Sequence, residues 1–557
     1  MSANVSPMSE GSEGAASFSQ RMLNGVERLG NKVPHPVMMF LYLIAFVIVL
    51  SQILDLLDVS VTELIAEPVP VTVQENYYED TSQVQLYVDP AALDDPDFEL
   101  REVEISVRGL LTIDGIRFLF TSFVTNFQNF GVVGVTFIAM LGAGAAEGAG
   151  LMGALIRKLV ASAPRSLITF LLILIGGVSS IASDAGYLIL IPLAAAAFLA
   201  LGRHPIAGMA AGFASVAATF AVNLIPQPTD AMMTEIANEA IALTGGEPMT
   251  VVSNYYFSVV SLIFMCIVAT VVTERIIEPR LGKYDPSEGS GEGADDHEQT
   301  PEEKAAEAKG LRYALFGFLA VIGVIVLATA PSGAPLRDPD SGAIIGTTPF
   351  MDSLLFMIAL IFLISGICYG IGAGTVKSSN DVIAAITKTF NGLGGLIFML
   401  LMISQFIAYF NYTNLPRVLA VSMADILERA DIGAIPLLVG FVFVILILDF
   451  IIPGVIPKWA IFAPVFVPIF DRLGVAPQTI LAAYRIGDSP VNTLTPLMVY
   501  LPFIVTIAQR YRRDAGIGTV ISLMIPYAGI MAVLWTLLFV IWFLLGIPLG
   551  PGYPVEF

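Results

Sequence analysis

Cysteine, histidine and charge are all scarce in this chain, and each scarcity closes off a class of protein. Among 557 residues there are two cysteines, three histidines and three tryptophans. Cys266 and Cys368 sit inside apolar runs and His35, His204 and His297 are scattered, so no disulfide framework, zinc spacing or redox pair exists. Charged residues make up 13% and hydrophobic ones 56%, with mean hydropathy +0.80. A soluble domain needs a polar surface over its core, and the charge for one is absent. No Gly-rich phosphate loop, His-Glu-x-x-His pair or Gly-x-Ser-x-Gly elbow occurs, which argues against primary pumping, metalloproteolysis and hydrolase chemistry, and so against an enzyme. The formal charge of -20 is concentrated in two stretches outside the apolar runs and says little about a substrate. Nothing basic enough to hold nucleic acid is present.

What fills the chain is long apolar runs set off by basic clusters. Residues 1–34, rich in Ser, Gly and Glu with no cleavage pattern, read as a disordered cytoplasmic tail. Arg21, Arg28 and Lys32 precede the first span, 35–57, and place the N-terminus inside. An acidic external loop, 58–122, follows, where alternation at 84–88 and 102–107 predicts a small β element. The first membrane half, 123–284, contains spans at about 132–156, 205–224 and 255–272, with an external loop carrying Glu235, Glu239 and Glu247 before the last of these. Residues 285–310 read as a mobile, acidic cytoplasmic linker. The second half, 311–547, contains spans at about 313–330, 351–371, 390–410, 477–507 and 520–545, and residues 548–557 form an external tail. Every strong basic cluster falls inside if there are nine spans and two re-entrant hairpins. The expected fold is therefore an all-α polytopic membrane protein, with the N-terminus cytoplasmic and the C-terminus external.

The hairpins are two overlong apolar runs. Residues 166–202 are interrupted at their centre by Ser179, Ser180, Ser183 and Asp184, and basic residues (Arg157, Lys158, Arg165, Arg203) flank both ends. Two thin crossing helices fit those flanks, and so does one hairpin that dips in and turns back. The hairpin explains more, because an Asp against lipid costs about 2.5–3.5 kcal/mol and must face protein, water or a ligand. Residues 435–470 repeat the plan from the opposite face, interrupted from Asp449 to Trp459 by Pro453, Gly454, Pro457 and Lys458. After each comes a span with an Asn-and-Pro break, at Asn223 to Pro228 and at Asp488 to Pro496. This is an inverted repeat, and transporters so built bind near the midplane, using half-helix N-termini for an anion and freed carbonyls for a coupling cation.

Long motifs carry a resemblance: Gly-Ala-Ala-Glu147-Gly-Ala-Gly-Leu, Ser-Ser-Ile-Ala-Ser-Asp184-Ala-Gly-Tyr, Gly-Arg-His-Pro, Tyr-Phe-Asn411-Tyr-Thr-Asn-Leu, Lys-Trp459-Ala-Ile, and Ala-Ala-Tyr-Arg485-Ile-Gly-Asp488-Ser with Asn492 and Thr-Pro496-Leu-Met. From first span to last the chain resembles the AbgT family, bacterial aminobenzoyl-glutamate transporters. The resemblance implies the nine-helix, two-hairpin plan, a homodimer, and import of p-aminobenzoyl-glutamate or export of sulfonamides. It also implies functional roles for Asp184, Trp459, Arg485, Asp488 and Pro496. One departure stands out. Where the family usually has Gly-Ser-Ala-Ser-Ala-Lys-Trp at the second tip, this chain has Pro-Gly-Val-Ile-Pro-Lys-Trp, so two hydroxyls are missing, and Pro490 adds an unusual proline nearby.

The expected function is secondary active transport of p-aminobenzoyl-glutamate or a related aryl or acyl amino-acid anion, coupled to a proton or sodium gradient by elevator-type alternating access. A dicarboxylate or citrate transporter of the wider ion-transporter superfamily is the next reading, and a channel the last. Candidate substrate contacts are Ser180, Ser183, Asn223, Trp459, Arg485, Asn492 and Pro496; Asp184 and Asp488 are the ion-coupling candidates, with sodium placed near Ser179, Asp184 and Asn492 and no other cofactor. Each has a plainer alternative. Asp184 caps its own hairpin, Arg485 and Asp488 form a structural ion pair three residues apart, Trp459 fills the tip, and Glu147 is a buried structural carboxylate.

Overall fold

The computed structural model describes residues 36–68, 98–180, 186–289, 300–346, 348–429, 433–450, 452, 454–495 and 497–556, without the side chains of 63–68, 98–101, 424, 425 and 427–429. Ser183, Asp184, Pro453 and Pro496 lie outside the described residues. So do the tail 1–34, the stretch 84–88 and the middle of the expected linker.

Helix dominates. Among the described residues seven helices are long and apolar enough to cross a membrane: Pro36–Leu56 (α1), Phe123–Ala149, Tyr255–Leu281, Pro301–Thr329 (α9), Leu354–Ala373 (α10), Gly394–Tyr412 (α12) and Ile517–Leu544 (α18). An eighth is counted if Leu151–Ala161 (α3) and Arg165–Ser179, bent by 110° to one another, make one span. The second helix ends with Gly131–Ala149 (α2), where Gly150 takes a left-handed φ of 91° that a side chain would strain. The third begins with Tyr255–Val272 (α8). The remaining expected spans are assembled from short pieces. Pro205–Ala217 (α6) and Pro228–Ile241 (α7) flank one break, and Pro477–Asp488 (α16) and Leu501–Tyr511 (α17) flank the other. The overlong runs likewise divide into Ile168–Ser179 (α4) with Ile191–Ala200 (α5), and Ala434–Asp449 (α14) with Val455–Arg472 (α15).

The innermost helices are α6 and α16, in which every residue is buried. α6 earns that place with Gly, Ala and Pro, since a helix apolar all round can be wrapped on all sides. It packs against both α4 and α5. Arg203, just past α5, donates to Thr169 near the start of α4 at 2.8 Å, so the two arms return to the same end. On the other side α14 packs on α16, and α15 on α7 and on Leu415–Arg429 (α13).

A separate group is formed by α2, α9 and α10. Its seams are made by glycine: a Cβ on Gly142 would lie 2.3 Å from the Ala359 carbonyl, and one on Gly366 2.6 Å from Cα of Ala146. Such close backbone approach is the small-residue mode of membrane packing. Phe316 and Leu327 on α9 remain exposed on its outer face.

Three segments differ from expectation. The region after Pro228 is a helix rather than a loop. Pro228 occupies its first turn, Asp230 accepts the Gln227 N–H at 2.8 Å, and Met233, Ile236, Ala237 and Ala240 give it a buried face. The end of the expected linker is also ordered. α9 starts at Pro301 behind a Thr300–Glu303 capping box, because a run of Glu, Ala and Lys has high helix propensity as well as low hydrophobicity. The linker's start is fixed too, with the Arg513 N–H bonded to the Glu288 carbonyl at 3.0 Å. Finally Ser379–Gly392 (α11) is an extra amphipathic helix lying on α2. Between α1 and α2, Ser60–Pro68 (β1) pairs antiparallel with Phe98–Ser106 (β2), from Ser60 opposite Ser106 to Pro68 opposite Phe98.

Candidate transport site

The break between α6 and α7 is closed by side chains. Asn223 donates to the Gly177 carbonyl at 3.1 Å and to Ser180 Oγ at 3.0 Å, and its own Oδ1 accepts the Leu224 N–H at 2.8 Å. Ser180 Oγ in turn donates to Gln227 Oε1 at 3.1 Å. An amide and a hydroxyl thus satisfy backbone groups that the interrupted helices leave open. Ser179 donates to the Gly176 carbonyl at 2.7 Å, and Ser180 shares its one hydroxyl proton between Gln227 and the Gly177 carbonyl, the latter at 2.7 Å. Ser258 Oγ accepts the Asn223 N–H at 2.9 Å, which fastens the break to α8.

Arg485 reaches this break from α16. Its Nη1 donates to the Ala221 carbonyl at 2.8 Å and to Asp230, while its Nε has no partner among the described residues. A cavity of about 10 Å³, room for about one water, opens between Arg485, Asp230, Asn223, Asn254, Tyr255 and Ser258. Next to it is a second, apolar cavity of similar size lined by Leu355, Ile358, Ala359 and Phe362 of α10, and Pro226 and Val251 touch both.

A second group of charges lies at the other tip. Lys458 on α15, wholly inaccessible, donates to Asp449 at the end of α14 and sits 2.7 Å from Asp488 Oδ1 on α16. Asp449 is 0% and Asp488 1% exposed. Tyr484 donates its hydroxyl to the Val455 carbonyl at 2.5 Å, and Trp459 donates to the Met233 carbonyl of α7 at 2.8 Å while its ring lies 4.7 Å from that of Tyr484.

The structure therefore brings Ser180, Asn223 and Arg485 together and sets Trp459 and Asp488 in an adjoining layer. Arg485 and Asp488 do not pair with each other, which sets aside the plainer alternative of a structural ion pair. Three residues apart on α16, they point to different neighbours, Arg485 to the first break and Asp488 to the second tip. Asn492 is half-buried in the 3-10 turn Pro490–Thr493, and Ser179 is buried with Ser180. Among the described residues no three His, Cys, Asp or Glu side chains gather as a metal cage. Glu147 is exposed, not buried. Sequence reasoning missed Asp230, Gln227, Asp449 and Lys458 as members of the site. Each sits in or beside a Pro-rich break, and that is the signal that could have found them.

A bundle of apolar helices that holds Arg485, Lys458 and three aspartates at interrupted helices is the construction of a membrane transporter. The sequence profile of the AbgT putative transporter family matches residues 21–557, and the chain belongs to that family. It is 33% identical over 549 residues to the p-aminobenzoyl-glutamate transport protein of Escherichia coli (strain K12), covering 98% of this chain and 99% of the relative. Two solved structures share its fold. The Alcanivorax borkumensis YdaH transporter, described as having an unusual topology, superposes with TM-score 0.80 at 33% identity, over 93% of this chain and all of the other. Neisseria gonorrhoeae MtrF, described as illuminating a class of antimetabolite efflux pumps, superposes with TM-score 0.82 at 34% identity, over 96% of this chain and all of the other.

Proposed function

We propose that the chain is a secondary active transporter of p-aminobenzoyl-glutamate or a related aryl or acyl amino-acid anion, including sulfonamide-type antimetabolites, driven by an ion gradient. The observation that carries this reading is the pair of adjoining cavities, one polar around Arg485 and one apolar against α10. A molecule with a carboxylate at one end and an aryl ring at the other matches that pairing in polarity, and each cavity, with room for about one water, must widen to admit it. Arg485 already holds one carboxylate, that of Asp230, and keeps Nε free for another. A substrate carboxylate displaces Asp230 and gains the two-pronged grip that a guanidinium offers.

In this reading Ser180, Ser183, Asn223, Trp459, Asn492 and Pro496 are the residues that contact the substrate, and Asp184 and Asp488 couple the ion. The return of α4 and α5 to one end, through Arg203 and Thr169, supports a re-entrant hairpin. In this reading nine spans and two opposed hairpins form an inverted repeat, with the N-terminus in the cytoplasm. The hairpins and interrupted helices travel together against a body of α2, α9 and α10 in each protomer of a dimer. Labelled p-aminobenzoyl-glutamate uptake into proteoliposomes, under a proton gradient and a sodium gradient separately, tests it. Saturable uphill accumulation under one of them is expected; none under either gradient would sink the proposal.

A further inference from the structure

We propose that Lys458, Asp449 and Asp488 form one proton-binding site, in which the two carboxylates together hold a single exchangeable proton that the transport cycle loads and releases. This rests on the transport reading above and names the ion and two residues, Asp449 and Lys458, that carry it.

The argument begins with a charge count. Three carboxylates (Asp230, Asp449, Asp488) and two cations (Arg485, Lys458) are buried where α7, α14, α15 and α16 meet. Arg485 is taken by Asp230 on the far side of α16. That leaves one ammonium between two carboxylates, all three at 0% or 1% exposure. An uncompensated buried carboxylate costs several kcal/mol, about what drives such groups to take up a proton instead.

Among the described residues no other group supplies the missing charge. The tip residues beyond the described ones, at 181–185, 451, 453 and 496, include no Lys or Arg, and Asp184 adds another acid. From α16 the neighbours are the neutral phenol of Tyr484, committed to Val455, and Arg485. α7 contributes Asp230, with Glu235 and Glu239 farther along it. α18, packed on α14 and α16, brings Tyr527, whose hydroxyl is paired with Thr273. α13, packed on α15, brings Arg417, which has an interaction of its own, and Arg429, whose side chain lies outside the described ones.

Hydrogen bonding points the same way. Asp449 Oδ2 and Asp488 Oδ2 lack a hydrogen-bond partner among the described residues, while Asp488 Oδ1 faces the Lys458 ammonium at 2.7 Å. A proton on one carboxyl removes the excess charge and turns an orphan acceptor into a donor. Sodium fits poorly, because an ammonium 2.7 Å from Asp488 repels a second cation and too few free oxygens surround the pair. The proton comes from the aqueous phase, forms an O–H bond on one Asp oxygen, and leaves to the aqueous phase when that bond breaks. It belongs to the coupled pair rather than to either residue.

The protonated carboxyl is read directly by infrared difference spectroscopy of the purified protein, through its C=O stretch and that band's shift in D2O. The expected result is one such band in the wild type near neutral pH, lost in Asp449→Asn, which leaves Lys458 and Asp488 as a neutral pair. Lys458→Met should strengthen the band instead, because both carboxyls must then be protonated. Size-exclusion profiles check that each variant is folded, and Asp449→Asn alone decides if Lys458→Met is not. A wild-type spectrum without the band, or one that Asp449→Asn leaves unchanged, would overturn the proposal. In proteoliposomes, accumulation of p-aminobenzoyl-glutamate under an imposed proton gradient should fall from many-fold to none in Asp449→Asn. If the wild type itself does not move that substrate, the substrate assignment fails while the spectra still decide the proton site.

Discussion

The ring of Tyr187 lies flat on that of Tyr500, centroids 4.3 Å apart and planes within 10°. Tyr187 lies in the helical turn that leads into α5 and Tyr500 caps α17, so this one stack ties the run of α4 and α5 to the break between α16 and α17. Tyr500→Phe keeps the ring and with it the stack, and is the reference against which loss of the ring is measured. Tyr500→Leu keeps bulk without the ring pairing and should lose about 0.5–1.5 kcal/mol. Melting curves in detergent compare the two; equal melting temperatures would mean the stack holds nothing.

Asp230 and Arg485 give opposite signs for stability and binding. Asp230→Asn leaves a buried guanidinium without its counter-charge, at a cost of about 3–5 kcal/mol. It also removes the carboxylate that competes with the substrate, so p-aminobenzoyl-glutamate should bind more tightly to a less stable protein. Arg485→Lys should weaken binding, since a point charge replaces a fork. Calorimetric titration beside a thermal melt checks both signs, and weaker binding by Asp230→Asn would contradict the exchange.

Asn223 and Ser180 should be coupled rather than additive. Each single alanine variant strands a buried partner, at about 1–3 kcal/mol. The double variant should cost less than the sum, by about 0.5–3 kcal/mol in a double-mutant cycle. Simple additivity would show that the 3.0 Å contact between them contributes nothing.

The C-terminal strand of chain acts as a clasp on α16. The carbonyls of Pro554 and Val555 accept from Gln478 and Thr479 at 2.6 and 2.7 Å, and Thr479 is fully buried. Deleting residues 551–557 leaves the Thr479 hydroxyl unpaired and should destabilise the protein by about 1–3 kcal/mol. Thr479→Val in the full-length chain should destabilise, because it removes the bond to the Val555 carbonyl, whereas in the truncated chain it should be stabilising.

His204 makes stability depend on pH. Burial holds its imidazole below the ordinary 6.5, with Arg512 pushing the same way and Glu288 and Glu278 opposing. In the neutral form Nδ1 accepts the Ile206 N–H at 3.3 Å and caps α6. The unfolded chain takes up the proton at about pH 6.5 while the folded chain resists it. The contribution is therefore whole above that pH, declines as pH falls through it, and levels off below the folded value. Melts from about pH 8 to about pH 5 should show this decline, and His204→Asn, which keeps a capping acceptor without titrating, should flatten it.

Charge placement and apolar length made the long helices legible, and polar residues in mid-run marked where the chain breaks. Arg485 and Asp488 stood out for the same reason, since neither can face lipid. Their partners did not stand out. Arg485 meets Asp230 across 255 residues of sequence, and a pairing at that distance is settled by how α7 and α16 pack. α7 itself read as a loop because Asp230, Glu235 and Glu239 masked its buried face. Lys458 was visible only as part of a tip, and its role emerges from the two carboxylates that α14 and α16 deliver to it.

The glycine contacts between α2 and α10 have a mechanical consequence. Gly142 faces the Ala359 carbonyl and Gly366 faces Ala146, each leaving no room for one more carbon. Sliding either helix by a single residue, about 1.5 Å along the axis, would set a Cβ where only hydrogen fits. The two helices are therefore locked in register like the teeth of a rack, and whatever displacement the molecule undergoes must be taken up along other surfaces.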